Sequence, residues 1–429
     1  MKCLDVDVAV LGSGFAGSLT AMILKRVGLR VALIDRARHP RFAIGESSTP
    51  IANRLLHNLA TRYDLPRLLP LCKYGTWQQS YPEITSGLKR GFSYFAHAPQ
   101  QPFTPDPRHR NELLVAASSD DEHSDTQWLR ADVDRFLCAE AYAAGVAVLE
   151  ECAIEQVRHE GENHWAILGQ YDQASLSVRA SFVIDGTGEA GLIPRRLGIV
   201  PEHDTCRTHS RAIFSHFHEL RSWTQFMNES GGATQDHPFD CDHAAQHHIL
   251  DGAWMWVLRF NNGVTSAGFV LDSHKHPLDA TVTIQDEWEQ WLERYPSVAW
   301  LFADARLAAV PGGIKRTGRL QRRWNQVAGS DWALLAHTAG FIDPLHSTGI
   351  AHSLCSIERL VRVLTEHGPG AGRCEALREY HDDVRMELDL IDELVASCFA
   401  CFGNFELLTA FSMLYFAAAT TYEHARLTD

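Results

Sequence analysis

The residues best suited to chemistry begin near the N-terminus. Gly12-Ser13-Gly14-Phe15-Ala16-Gly17 follows an apolar run at 6–11 and precedes a helix-like stretch at 18–27, and a second apolar run at 30–34 ends in Asp35. In a strand–turn–helix–strand unit, Gly12 permits the tight turn, Gly14 lets backbone approach a pyrophosphate, and Gly17 lets the helix pack on the strand. The helix N-terminus attracts phosphate charge, and Asp35, followed by Arg36, is placed to accept from a ribose hydroxyl. The pattern does not by itself separate NAD from FAD. His216 and His218 alternate on a strand-like stretch, so both face one side, where one could act as a general base. They could also be a metal pair, but no third ligand stands at a suggestive spacing and no metal is expected. Cys398 and Cys401 have CxxC spacing without a second pair and read as buried small hydrophobes in an apolar helix.

These groups must be held by a chain of 429 residues with 39 Lys+Arg against 53 Asp+Glu, a net charge of −14. At 45% hydrophobic and 21% charged the composition is that of an ordinary globular protein, long enough to bury a sizeable core. The acidic balance argues against nucleic acid as a partner, because affinity there comes from Lys and Arg neutralising phosphates. The ten cysteines are scattered without a dense framework, and the opening residues do not read as a signal peptide, so reduced thiols in a cytoplasmic protein are expected. The apolar stretch 407–422 carries Thr409, Ser412, Thr420 and Thr421 and is shorter than the ~20 apolar residues a membrane span needs. It reads as a buried helix or one lining an apolar substrate channel.

Further along, residues 76–128 are rich in Pro, Gln, His and Ser and read as an insertion with a mobile loop. A helix resumes near Arg130, where Asp134 stands one turn on. An apolar strand at 177–184 ends in Asp185-Gly186-Thr187-Gly188. Alternating stretches at 212–218, 254–260 and 266–271 suggest a β-rich domain laid against the nucleotide core. A buried strand at 332–336 leads into Phe341–Gly349, and the tail from about 373 is helical.

The ordered glycine-bearing strand ends at 12–17, 185–188 and 340–349 resemble FAD-dependent monooxygenases of the p-hydroxybenzoate hydroxylase type, and more closely the flavin-dependent halogenase branch. His39-Pro40-Arg41-Phe42 with Gly45-Glu46-Ser47-Ser48 is similar to that branch's G-E-[SA] motif beside the flavin. Phe341-Ile342-Asp343-Pro344-Leu345-His346-Ser347-Thr348-Gly349, followed by Ile350, fits F-x-x-P-x-x-S-x-G. The resemblance implies a doubly wound parallel sheet of the Rossmann type that binds FAD, an antiparallel β-sheet substrate domain and a helical C-terminal segment. Its boundaries are 1–75, 129–200 and 326–365 for the FAD-binding domain, 76–128 and 201–325 for the substrate domain, and 366–429 for the C-terminal segment. It implies cofactor contacts from Gly12 to Gly17, from Asp35, Arg36, Arg41, Gly45, Glu46 and Ser47, and from Asp185, Gly186 and Gly188. It extends them to Asp343, which would meet the ribityl chain, and to Pro344, Ser347, Gly349 and Ile350. Arg130 would contact the flavin side of the nucleotide, in preference to the alternative of an i, i+4 salt bridge to Asp134. Gly340 and Gly349 would let backbone approach a flat ring.

In halogenases, backbone at the positions matching Thr348 and Gly349 holds chloride or bromide near the flavin. The same helix dipole serves any flavoprotein, so this turn can equally cradle the isoalloxazine alone. A lysine lies between flavin and substrate, where it engages hypohalous acid made from halide, reduced FAD and O2. Gly87-Leu88-Lys89-Arg90-Gly91-Phe92 fits that lysine's setting, which makes Lys89 the candidate and Lys73 the fallback. A lysine in an apolar tunnel can have a depressed pKa.

The chain also departs from the pattern. The halogenase W-x-W-x-I-P appears as Trp254-Met255-Trp256-Val257-Leu258-Arg259, which leaves direct oxygenation less excluded. His346 stands where tryptophan halogenases carry Glu. The likeness is thus nearer the branch acting on phenols and pyrroles, some of them on an acyl or peptidyl carrier protein. The basic stretch Lys315-Arg316 to Arg322-Arg323 could meet an acidic carrier, or is a solvated face. The other G-x-G-x-x-G, residues 186–191, belongs to the second of the ordered strand ends and no separate unit for NAD(P)H is found, so reduced flavin would come from a separate flavin reductase. The expectation is a halogenase-like FAD oxidoreductase, set against a non-halogenating monooxygenase or dehydrogenase on the same scaffold and a flavin-binding redox sensor.

Overall fold

The computed structural model describes residues 2–428. Two sheets organise it. The first runs in the order Ala147–Leu149, Val31–Ile34, Lys2–Leu11, Ala174–Asp185, with Trp332–Leu334 also parallel on the last strand. Val31–Ile34 and the strand ends 8–11 and 182–185 are buried on both faces and read as largely apolar runs, as parallel strands covered by helices do. Ala174–Asp185 is longer than the expected 177–184, because its first half also pairs antiparallel with Trp165–Tyr171.

The second sheet is larger and mostly antiparallel. Its central strands are Ser210–His218, Val264–Asp272, Ala253–Arg259 and Ala245–Leu250, and the last of these pairs in parallel with Gly91–Ala96, beside the edge strand Glu112–Ala116. Period-two alternation sends Trp254, Trp256, Phe92 and Tyr94 to the face packed on the nucleotide sheet. It sends Met255, Val257, Phe95 and Phe269 to the opposite face, under the helices Trp223–Glu229, Ile284–Arg294 and Pro296–Leu301.

The segment 76–128 carries a connection without strand or helix at 97–111, and between its polar stretches it is built of strands. It holds the strands Ser86–Lys89, Gly91–Ala96, Glu112–Ala116 and Asp125–Trp128, two of which join the large sheet. Its polar residues are consumed locally. Asp106 accepts from Arg108 N at 2.8 Å and Arg110 Nε at 2.9 Å, which ties the turn between two strands.

The chain ends in three helices, Thr348–Glu366, Ala371–Cys401 and Phe405–Thr428. Among the described residues no helix is long and apolar enough to cross a membrane. All ten cysteines are free, and Cys398 and Cys401 are buried.

Candidate active site

At the end of Lys2–Leu11 the chain turns through Gly12, with φ +94° and Gly186 packed so close that a Cβ would lie 2.5 Å from its carbonyl oxygen. A Cβ on Gly17 would lie 1.9 Å from Gly12 O, so the protein itself demands both glycines. Gly14 differs: a Cβ there meets nothing nearer than 3.7 Å, and its extended backbone suits any residue. Its smallness therefore serves something outside the chain. Gly14 provides no side-chain cap to the helix Phe15–Arg26, so the first-turn amides stay open.

Asp35 accepts from Ser13 N at 2.7 Å, Ser13 Oγ at 2.9 Å and Ala37 N at 2.9 Å, with Arg41 Nη2 at 3.1 Å. Burial raises its pKa, but Arg41 and these donors outweigh it, and the carboxyl sits below its ordinary value. Arg36 is exposed. Arg130 forms both contacts considered for it. It grips Asp134 with two bonds of 2.8 and 2.9 Å, and it donates to Ile44 O and Gly45 O at 2.9 and 3.1 Å. It thereby clamps the 36–48 loop, while lying 3.7 Å from where a Gly14 side chain would begin. The Asp185 carboxylate, by contrast, is spent on its own turn, accepting from Thr187 N, Thr187 Oγ1 and Ile193 N at 2.9, 2.6 and 2.7 Å. It braces the strand end. Gly186 packs on Gly12, and Gly188 N donates to Thr338 Oγ1 at 2.9 Å.

The G-E-S-S segment is stitched to a small two-stranded sheet. Trp128 N donates to Glu46 O at 2.5 Å, and Ser48 N to Thr126 O at 3.1 Å. Strand Asp125–Trp128 pairs with Ser86–Lys89, setting Asp125 opposite Lys89. Lys89 is fully buried, its Nζ donating to Ser48 O and lying 4.1 Å from the Phe92 ring centroid. Burial pulls the Lys89 pKa down to about 8, with Asp125 pulling it back up. Burial likewise pushes Asp125 up to about 7. Both shifts make the neutral forms accessible, as expected for two ionisable groups removed from water.

The third element is the turn before Thr348–Glu366. His346 and Ser347 adopt φ +61° and +58°, and Ser347 makes no side-chain cap, so the amides of the first turn remain open. Thr348 and Gly349 are half-buried there, and a Gly349 Cβ would lie 3.0 Å from His337 Nε2. Asp343 lies inward. It accepts from Ser210 Oγ at 2.7 Å and Leu345 N at 3.1 Å, and burial pushes it up to about 7. Its carboxyl ties the turn to the large sheet. Gly340 is extended, and a Cβ would lie 2.6 Å from Leu388 Cδ1, so this glycine serves the packing of Ala371–Cys401 and not a flat ring.

Between Lys89 and this turn stands an aromatic wall. Tyr94 stacks on His247 at 4.6 Å, His247 on Trp254 at 5.2 Å, and Phe92 packs on Phe416 at 4.9 Å. His346 stacks on Tyr415 at 4.6 Å.

This geometry agrees with the comparisons. The tryptophan halogenase family profile matches residues 127–404, and the FAD-dependent oxidoreductase profile residues 7–219. The chain belongs to the tryptophan halogenase family. It is 28% identical over 419 residues to the monodechloroaminopyrrolnitrin halogenase PrnC of Pseudomonas fluorescens, spanning 95% of this chain and 70% of that one. It is 27% identical over 425 residues to the tetracycline 7-halogenase of Kitasatospora aureofaciens, spanning 96% and 73%. The crystal structure of halogenase PltM with phloroglucinol and FAD superposes with a TM-score of 0.86 at 26% identity, over 98% of this chain and 83% of that one.

This halogenase-family chain is an FAD-dependent oxidoreductase, and its residues fit the cofactor. Gly14 keeps its space open, and Arg41 Nε, Ser47 Oγ and both side-chain amide atoms of Gln127 are buried with no partner in the protein. Unpaired buried polar atoms of this kind call for a polar ligand.

Several expected members of the halogenase site fall elsewhere. Lys73 is exposed at the start of the helix Tyr74–Ser80 and takes no part. His216 and His218 share a strand face only in period: His218 is exposed at the strand end. His216 is buried 2.9 Å from Glu46 Oε1 and edge-on to Phe42, so it braces the 39–46 loop. Arg316 pairs with Glu287, Arg319 with Asp204 and Arg323 with Asp389, while Arg322 donates to His337 O at 2.9 Å. Lys315 is exposed, and Asp204 and Asp389 are exposed partners, so the basic stretch is in part a solvated face whose arginines are already paired. Sequence reasoning missed Asp125, Gln127, Tyr94, His247 and Phe416. Only Tyr94 had a local signal, the alternation Phe92-x-Tyr94.

Proposed function

We propose that this protein uses O2 and a halide, chloride or bromide, to halogenate a free electron-rich aromatic ring of the phenol or pyrrole class. The observation that carries the reading is Lys89: a fully buried amine in a wall of aromatic rings, bonded to the loop beside the flavin position. When bound, reduced FAD supplies the electrons that activate O2. Gly12, Gly14 and the open amides of Phe15–Arg26 hold its diphosphate, Arg41 and the Gly45–Ser47 loop its flavin half, and the amides of Thr348 and Gly349 the halide. Lys89 Nζ–H donates to the oxygen of hypohalous acid and leaves the halogen more electrophilic. Asp125, opposite it in register, is the buried base with which Lys89 exchanges a proton. Phe92, Tyr94, Trp254 and Phe416 exclude water and stack the ring.

Two points favour a free ring over a carrier-bound one. Three arginines of the basic stretch that would meet an acidic carrier are already paired with carboxylates of this chain. Phloroglucinol, a small phenol, is the molecule named in the PltM crystal. By contrast, a related chain from Pseudomonas fluorescens is named for chlorinating a pyrrole on a peptidyl carrier protein. Reduced flavin comes from a separate reductase: the other G-x-G-x-x-G of the chain, 186–191, packs on Gly12 and Thr338 within the flavin half and supports no second nucleotide site. We further propose the domain division at 75/76, 128/129, 200/201, 325/326 and 365/366; the apolar cluster on the outer face of the large sheet lies within 76–128 and 201–325, while the inner cluster crosses the boundaries. The altered W-x-W-x-L-R motif does not favour plain oxygenation. Both tryptophans stay on the inner face, and Arg259 turns away to donate to Leu220 O and Arg221 O at 3.2 and 2.5 Å.

The test mixes photoreduced, FAD-loaded protein with O2 and a panel of phenols and pyrroles, with and without chloride or bromide. Halogenated product that appears only with halide is expected. Hydroxylated product indifferent to halide would move the protein to the monooxygenase reading, and no turnover with any ring to the sensor reading.

A further inference from the structure

At the outer edge of the large sheet, away from the aromatic wall, three side chains converge from separate segments. Glu112 opens the edge strand Glu112–Ala116, His109 stands in the preceding connection, and His237 follows the turn Thr234–Asp236. Their potential ligand atoms all lie within 4.8 Å of one another. Glu112 Oε1 meets His109 Nδ1 and lies 3.3 Å from His237 Nε2. For metal bonds of about 2.0–2.1 Å, tetrahedral geometry puts neighbouring ligand atoms roughly 3.3 Å apart.

Two further observations point outward from the cluster to a ligand. Glu112 is 6% exposed, and its Oε2 is buried with no partner. A buried carboxylate oxygen without a partner calls for a donor or a cation. The second observation is that Asp236 Oδ2 lies 3.5 Å from His109 Nε2, the ring nitrogen turned away from Glu112. A carboxylate behind the distal nitrogen of a histidine is the usual support of a metal ligand, because it fixes the tautomer that leaves the other nitrogen free to bind.

We propose that His109, Glu112 and His237 bind a divalent transition cation of the zinc class, with Asp236 bracing His109 and water in the remaining position. Two imidazoles and a carboxylate suit zinc better than calcium or magnesium, which prefer all-oxygen sets. The expectation of no metal rested on spacing along the chain. The three ligands are brought together by the pairing of Glu112 with Phe95 and by the 230–243 segment folding over the same edge. The bound cation would pin the 97–111 and 230–243 segments across an exposed sheet edge, a place where unpaired backbone invites association.

The test uses the full-length, FAD-loaded chain without a histidine tag, stripped with chelator. Equilibrium dialysis against zinc chloride, with metal counted by mass spectrometry, should give about one zinc per chain, and zinc should raise the melting temperature. Cobalt(II) should give a visible spectrum without a thiolate charge-transfer band. His237→Ala and Glu112→Gln should each lose the zinc, and Asp236→Asn should weaken it about tenfold. Cys138→Ala should bind as the parent does, because it alters the other candidate cluster, His39–Cys138–Glu150. Retained FAD reports that each variant is folded, and Glu112→Gln is the arm least prone to misfolding. Failure of the parent to bind zinc overturns the proposal. So does undiminished binding by a folded Glu112→Gln, or loss of the zinc in Cys138→Ala.

Discussion

Tyr94 Oη lies 2.9 Å from Nδ1 of His346. One residue stands on a strand of the substrate sheet, the other in the turn that opens the halide-side helix, so this bond sets the distance between the two halves of the site. Burial pulls the His346 pKa down to about 3, which leaves its ring neutral throughout any practical assay. Tyr94→Phe removes one buried hydrogen bond and should cost about 1 kcal/mol. Urea denaturation would read that loss, with FAD affinity unchanged and KM for the aromatic substrate raised. An equal loss of FAD affinity would mean that the bond shapes the flavin pocket instead.

Lys89→Met keeps the length of the side chain and removes the donor. Oxidation of bound reduced flavin by O2 should proceed as in the parent, while halogenated product should fall by about a hundredfold or more, the scale set by a positioned proton donor. Product at parental rates would remove Lys89 from the reaction.

The pH dependence follows from the same residue. A donor whose pKa is pulled down to about 8 is lost as pH rises through that value, so halogenation should decline on the alkaline side of pH 8. Asp125 faces it, and Glu423 adds negative charge to Asp125. For stability the signs differ. Asp125, raised to about 7, binds a proton in the folded state that the unfolded chain has released. Its contribution is present at low pH and lost as pH rises from the ordinary carboxylate range through 7. Lys89 works the other way, with stability recovering between pH 8 and the ordinary lysine value. Asp125→Asn should flatten the acid-to-neutral slope in urea denaturation series; an unchanged slope would place that titration elsewhere.

Two glycines of one motif should behave oppositely on substitution. Gly14→Ala meets nothing within 3.7 Å and should leave the apoprotein as stable as the parent, yet weaken FAD binding about tenfold or more. Gly17→Ala would set a Cβ 1.9 Å from Gly12 O and should lower stability even without FAD. Melting temperatures of the apoproteins and titration of flavin fluorescence separate the two. A Gly14→Ala protein that binds FAD normally would show that the diphosphate does not pass there.

The nucleotide half was legible because its chemistry is local. The strand, turn, helix and acid of residues 6–35 are contiguous, and backbone geometry alone dictates glycine at 12 and 17. The F-x-x-P-x-x-S-x-G turn was readable for the same reason, and Lys89 was found through a motif that spans only its neighbours.

Other roles depend on partners that no spacing reports. Asp343 and Asp185 both look like cofactor ligands in their motifs. Only the folded chain shows one consumed by Ser210 and the other by its own turn. The basic stretch at 315–323 looks free until Glu287, Asp204 and Asp389 arrive from distant segments. The strands within segment 76–128 were not legible in the sequence, because they form only by pairing with residues 245–250 and with one another.

By itself the sequence determined the nucleotide-binding unit and the family and singled out Lys89 as the candidate lysine, since each rests on backbone conformation or on side chains a few residues apart. The tertiary structure alone decided which carboxylates are free, that Asp125 faces Lys89, and that Tyr94, His247, Trp254 and Phe416 wall the site. Burial, and with it charge state and hydrogen-bond partnership, is a property of what packs against a residue, and these partners come from strands and helices that meet only when the sheets close.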